Sequence, residues 1–270
     1  MSIEIINNRQ VGVSRMGSGT PMLMLHCALA HRAALAPLMS QLPPRSFTAF
    51  DLPGHGESAF DSAVDIQAQA VETAISLLEA SGPSDVFGHS FGATVALKLA
   101  LERPDLVCSL CLYEPVYFAI LACSNPAAYQ AEVHAASAFS SAALAQDWPE
   151  AARAFLARWS AEHFEALPPK QKAYILKTIP LILASEASII APERGEALLD
   201  TLGALTVPMC VITGENSPHV VHEIAITLAE YRPNAVQKHV KNAAHMGPIT
   251  HAKDVAKLVT EFVGRINGNS

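Results

Sequence analysis

Short apolar runs of β type alternate with helical patterns along most of this 270-residue chain, and that alternation limits the fold more than any other feature. The strand candidates are VGVSRM (11–16), PMLMLH (21–26), SFTAF (46–50), SDVFG (84–88), LVCSLCLY (106–113), PMCVIT (208–213) and AVQKHV (235–240). Several lack polar alternation, the pattern expected of strands covered on both faces. Between them, Ile66, Ala70, Ala74 and Leu77 share one helical face, and Val255, Leu258, Val259, Phe262 and Val263 recur at helical spacing. Strands and helices in alternation predict an α/β domain with a mostly parallel central sheet and helices on both faces.

The alternation stops over residues 117–203, a stretch rich in Ala and punctuated by Pro126, Pro149, Pro168, Pro169, Pro180 and Pro192. It predicts a helical insertion in a core formed by residues 1–116 and 204–270. The insertion carries Phe118, Phe139, Trp148, Phe155, Trp159, Phe164 and Tyr174. Most of these aromatics are expected to pack the insertion's own core, and some to line a substrate pocket beneath it.

Composition excludes several function classes. The net charge is -7, and no cluster of Lys and Arg is present, which argues against nucleic acid as a partner. The longest apolar runs are about ten residues, against the roughly 20 needed to span a bilayer, so no membrane partner is expected. The first ten residues, MSIEIINNRQ, show no basic segment followed by a long apolar one. A cytoplasmic protein is the expectation. Five cysteines, Cys27, Cys108, Cys111, Cys123 and Cys210, do not suggest a disulfide framework. Cys108 and Cys111 lie three apart on a strand candidate, hence on opposite faces, and are expected to be buried, inert thiols.

The pattern Gly88-His89-Ser90-Phe91-Gly92 joins a strand candidate to an apolar helical run. A free serine hydroxyl is a poor nucleophile and needs an adjacent base. A sharp strand-to-helix turn presents it above the sheet, flanking glycines permit the close backbone, and the helix start favours developing negative charge. His245, after the last strand candidate and before the last helix, is the base expected of Ser90.

Four motifs in order carry a resemblance. LMLHCALA (23–30), DLPGHGES (51–58), GHSFG (88–92) and NAAHMGPITH (242–251) together resemble the α/β-hydrolase fold superfamily, in the form of a serine hydrolase with a helical cap inserted after the sixth strand. The resemblance implies Ser90 as nucleophile and His245 as base. It also implies that His26, His55 and His89 shape loops, and that backbone N–H groups of Phe91 and Ala28 form an oxyanion hole, with Cys27 the less favoured donor. The family commonly has Gly at position 27; its absence does not remove the donors, since every non-proline residue carries an N–H.

The third triad member is less plainly written. The family usually places an acid a few residues after the seventh strand, where TGENSPH puts Ser217, and a serine cannot stabilise an imidazolium as a carboxylate does. Glu114, 24 residues after Ser90 in LYEP, matches the position and spacing that some haloalkane dehalogenases of this fold use, and is the favoured acid. Glu215 and Asn216 remain alternatives. His219 and His222, with Glu223 beside them, would share a helical face but lack a third ligand, so no metal and no cofactor is expected.

The implied activity is acyl transfer on a small apolar ester or lactone, a small-molecule substrate, with a homodimer left open. Carbon–carbon bond hydrolysis of a ring-cleavage diketone is the second enzymatic alternative, and a low-turnover ligand receptor on the same fold is the alternative of another class. Ser90 stands where haloalkane dehalogenases have an aspartate, which disfavours their reaction.

Overall fold

Strand residues of opposite parity enter two different cores, which is why the strands lack polar alternation. In β3 (Pro21–Leu25), Leu23 and Leu25 point into one cluster, and Met22 and Met24 into another. Each fully buried side chain of this size stabilises the fold by about 1.5–3 kcal/mol. The computed structural model describes residues 2–160 and 162–267.

Eight strands form one sheet in the order β1-β2-β4-β3-β5-β6-β7-β8. The others are β1 (Ser2–Ile6), β2 (Arg9–Met16), β4 (Ser46–Phe50), β5 (Ser84–His89), β6 (Val107–Tyr113), β7 (Met209–Gly214) and β8 (Val236–Val240). The β1–β2 and β2–β4 pairs are antiparallel and the rest parallel. The short helix α1 (Ala36–Met39) contributes to one core. Helices α2 (Ile66–Ser81) and α3 (Phe91–Glu102) pack into the other.

All seven helices from α4 to α10 lie between β6 and β7: α4 (Ala119–Ser124), α5 (Pro126–Ala135), α6 (Ser137–Leu144), α7 (Trp148–Trp159), α8 (Pro169–Thr178), α9 (Pro180–Ile189) and α10 (Pro192–Leu202). Proline occupies the first or second position of α5, α7, α8, α9 and α10, where its missing N–H costs nothing and its fixed φ suits a helix start. Phe139, Phe164, Ile175 and Ile179 centre a cluster of these helices' own, while Leu198, Leu199 and Leu202 of α10 join the sheet-side core. The chain then returns through α11 (His219–Tyr231), the one-turn helix α12 (Gly247–Thr250) and α13 (Ala252–Asn267). Val255, Val259 and Val263 of α13 bury against the α1 face of the sheet.

Two sequence expectations need correction. Strand β1 is absent from the strand candidates; it pairs with β2 through a tight turn in which Asn7 and Asn8 both take positive φ. Cys108 is exposed rather than buried. The register between β5 and β6 passes from Val107 to Ser109, so Cys108 sits at a bulge that turns it out of the ladder, whereas Cys111 stays in the core. Cys123 is also exposed, and among the described residues no helix is long and apolar enough to cross a membrane.

Candidate active site

Strand β5 runs straight into α3 through a turn too tight for any side chain but hydrogen at two positions. A Cβ on Gly88 would lie 2.6 Å from Ala93 Cα, and one on Gly92 would lie 2.4 Å from the His26 carbonyl oxygen. Between them Ser90 adopts φ 57 and ψ −118, a conformation that L-residues rarely occupy. The turn is over-determined: Ser90 N–H donates to the Tyr113 carbonyl at 2.9 Å, and Ala93 N–H to the Ser90 carbonyl at 2.9 Å. The result is a hydroxyl held at the N-terminus of α3 with its backbone already strained.

The loop after β8 brings His245 to that hydroxyl, with Nε2 2.9 Å from Ser90 Oγ. On its other side His245 Nδ1 lies 2.7 Å from Glu114 Oε2. A carboxylate only accepts, so Nδ1–H donates to Glu114 and the Nε2 lone pair faces the serine. All three groups are shielded from water: Ser90 is 6% exposed, His245 5% and Glu114 0%. The chain Ser90–His245–Glu114 thus joins residues from the ends of β5, β8 and β6.

Glu114 is fixed by more than the imidazole. Its Oε1 accepts from Gly214 N–H at the end of β7, at 2.7 Å, and from the Ser217 hydroxyl on the loop that follows. Ser217, a gap in the acid pattern when read from sequence, is therefore a donor to the carboxylate that replaces it. Glu215 is exposed and accepts from Asn242 N–H at 2.8 Å, and the Asn216 amide donates to the Asn242 carbonyl at 3.2 Å. Both alternatives hold the histidine loop without touching the ring.

That loop is clamped from below. His89 Nε2–H donates to the His245 carbonyl at 2.7 Å, and the Tyr113 hydroxyl to the Ala244 carbonyl at 2.9 Å. Burial pushes the His89 imidazole down to about 3, so that ring stays neutral near neutrality and serves as a donor to the loop. His26 and His55 serve the facing loops. Leu52 N–H donates to His26 Nε2 at 2.9 Å, and Leu29 N–H to His55 Nε2 at 3.2 Å, with both rings held neutral by burial.

Among the described residues, the backbone N–H groups of Ala28 and Phe91 make no hydrogen bond within the protein, and both residues line the cavity that contains Ser90. Cys27 lies beneath, buried, its thiol pushed up to about 12 by loss of solvent. The free volume of the cavity is about 70 Å³. Four of the seven aromatics singled out in the sequence, Phe118, Phe139, Phe155 and Trp159, line it, a larger share than expected, and the Trp159 ring lies 4.6 Å from that of His245. Tyr174 does something sequence did not foretell: its hydroxyl donates to the Ala30 carbonyl at 2.6 Å and accepts from Gly56 N–H at 3.0 Å, tying α8 to two core loops. His219 is exposed and pairs with Glu223 at 3.4 Å, and no group of three or more potential ligands able to hold a metal ion occurs among the described residues.

This geometry agrees with a family model for alpha/beta hydrolases, which matches residues 22–258. The chain belongs to the alpha/beta hydrolase family. Two curated relatives that match nearly the whole chain are hydrolases. The (E)-2-((N-methylformamido)methylene)succinate hydrolase of Acinetobacter baylyi is 24% identical over 267 residues, covering 97% of each chain. A pimeloyl-[acyl-carrier protein] methyl ester esterase of Methylococcus capsulatus is 26% identical over 269 residues, 93% of this chain and 97% of the relative. A solved alpha/beta hydrolase from Sphaerobacter thermophilus superposes with a TM-score of 0.72 at 22% identity, over 97% of this chain and 100% of its own, and shares the fold.

Proposed function

We propose that this alpha/beta hydrolase cleaves small apolar esters or lactones by acyl transfer through Ser90. The observation that carries the proposal is the unbroken hydrogen-bond chain from Ser90 Oγ through His245 to Glu114. Ser90 Oγ attacks the carbonyl carbon while its proton passes to His245 Nε2. The carbonyl oxygen takes up the negative charge and receives the N–H groups of Ala28 and Phe91, aided by the start of α3. The tetrahedral adduct collapses, the leaving oxygen takes the proton from Nε2, and an acyl-serine remains. Water then attacks, gives a proton to Nε2, and the second collapse returns that proton to Ser90 Oγ. Glu114 keeps accepting from Nδ1–H and stabilises the imidazolium. Helices α4–α10 act as a cap whose aromatic underside receives the apolar part of the substrate. The relative named as a methyl ester esterase favours an ester as the reacting group.

Turnover of p-nitrophenyl butyrate tests this reading. Its kcat/KM is expected to rise with pH between 5 and 8, the range in which a histidine passes from charged to neutral. A flat profile over that range contradicts His245 as the base. Ligand-induced stabilisation without turnover would favour a receptor instead.

Ser217 positions the carboxylate rather than touching the substrate. Loss of one hydrogen bond to a charged group costs about 1.5–3 kcal/mol. Ser217→Ala is therefore expected to lower kcat by about 10- to 100-fold with little change in KM, and Ser217→Thr, which keeps the hydroxyl, to retain most of it. Equal kcat in Ser217→Ala and wild type removes Ser217 from this role.

A further inference from the structure

The cavity above Ser90 has an aromatic wall with a single unshared charge in it. Phe91, Phe118, Phe139, Phe155 and Trp159 line it, with Phe118–Trp159, Phe155–Trp159 and Phe139–Phe155 ring centroids 6.1, 6.4 and 5.8 Å apart. Three charged residues face it: Glu132, Arg158 and Glu186. Two of them cancel. Arg158 Nη2 donates to Glu132 Oε2 at 2.7 Å, and the guanidinium lies 5.1 Å from the Trp159 ring centroid. The side-chain carboxylate of Glu186, half-buried on α9, makes no hydrogen bond or ion pair among the described residues. Burial alone pushes its carboxyl above the ordinary range, the mark of a charge left without a partner.

Such a cavity treats charged ligands unequally. A carboxylate would meet Glu186 as a like charge, and Arg158, the only Lys or Arg among the described residues lining the cavity, is already committed to Glu132. An alkylated ammonium is weakly hydrated, is attracted to aromatic faces, and supplies the charge that Glu186 lacks. The net charge of -7 over the whole chain adds a long-range field of the same sign.

We propose that this cavity selects substrates whose apolar body ends in an organic cation, a substituted ammonium held between the aromatic wall and Glu186, and rejects those ending in a carboxylate. The proposal rests on the ester-hydrolase reading for the reacting group, but the cation site itself does not require Ser90 to react.

Calorimetric titration of the wild-type protein at fixed ionic strength with hexyltrimethylammonium, hexanol and heptanoate tests it. The ammonium is expected to bind at least about tenfold more tightly than heptanoate, with hexanol between. In Glu186→Gln the preference for ammonium over heptanoate is expected to fall to about threefold or less. Heptanoate binding as tightly as the ammonium in wild type overturns the proposal, whether or not the variant folds. An unchanged preference in a folded Glu186→Gln variant overturns it as well. Hydrolysis of p-nitrophenyl hexanoate, measured alongside, separates the two readings: a cation preference without turnover sinks the esterase assignment and leaves the cation site standing.

Discussion

Ser90→Ala is expected to lower kcat on a short-chain ester by about 10⁴- to 10⁶-fold, with KM and melting temperature little changed. The hydroxyl is the atom that becomes bonded to the acyl group, so nothing else in the cavity can take its place in a two-step reaction. Its removal leaves the Ala28 and Phe91 N–H groups in position, and they account for the residual rate. Stability should hardly respond, because Ser90 owes its place to backbone hydrogen bonds and to Gly88 and Gly92, all of which survive the change. Relief of the positive φ is not expected either, since alanine is no more at ease there than serine. Initial rates at saturating ester, with active-site titration of the wild type as reference, read the effect. A loss of tenfold or less would mean that the acyl group goes elsewhere.

Glu114→Gln is the second large effect, about 10⁴-fold in kcat. Glutamine keeps the shape, and its carbonyl oxygen can still accept from Gly214 N–H and the Ser217 hydroxyl. Its amide nitrogen then faces His245 Nδ1 and donates where the carboxylate accepted. That forces the ring proton onto Nε2, which points it at Ser90 and removes the lone pair that takes the serine proton. It also leaves the imidazolium of the transition state without its counter-charge. The melting temperature should shift by only a few degrees, because the hydrogen bonds from Gly214 and Ser217 persist. Wild-type kcat in this variant would return Glu215 to consideration, despite its bond to Asn242 N–H.

Much of the site is legible because it is local in sequence. Gly88, Ser90 and Gly92 lie within five residues, and a tight turn between a strand and a helix forces the serine outward wherever that pattern occurs. His245 follows from the chain order of the fold. The acid is different. Glu114 and Glu215 sit on neighbouring strand ends, and only the β6–β7 register, with Tyr113 opposite Ile212, decides which carboxylate reaches under the imidazole. Ser217 was unreadable for the same reason, since its meaning depends on an oxygen 103 residues away. Strand β1 is not legible in the sequence, although its turn is encoded by Asn7-Asn8, a pair that tolerates positive φ. Its exposed, mixed pattern gives no core signal, because an edge strand packs on one side only. The cavity wall was the least legible feature. Phe155 and Glu186 are 31 residues apart on separate helices, and the packing of α7 against α8 and α8 against α9 brings them to one space.

Ser90, made nucleophilic by His245, is the claim on which the remainder depends, and covalent labelling reads it without knowledge of the natural substrate. A fluorophosphonate is incubated with wild type, Ser90→Ala and His245→Ala, and the adduct is mapped by peptide mass spectrometry. One adduct on the peptide bearing Ser90 in wild type, none in Ser90→Ala and far slower labelling in His245→Ala is the expected result. An adduct of equal yield in Ser90→Ala, or wild-type protein that stays unlabelled, contradicts it.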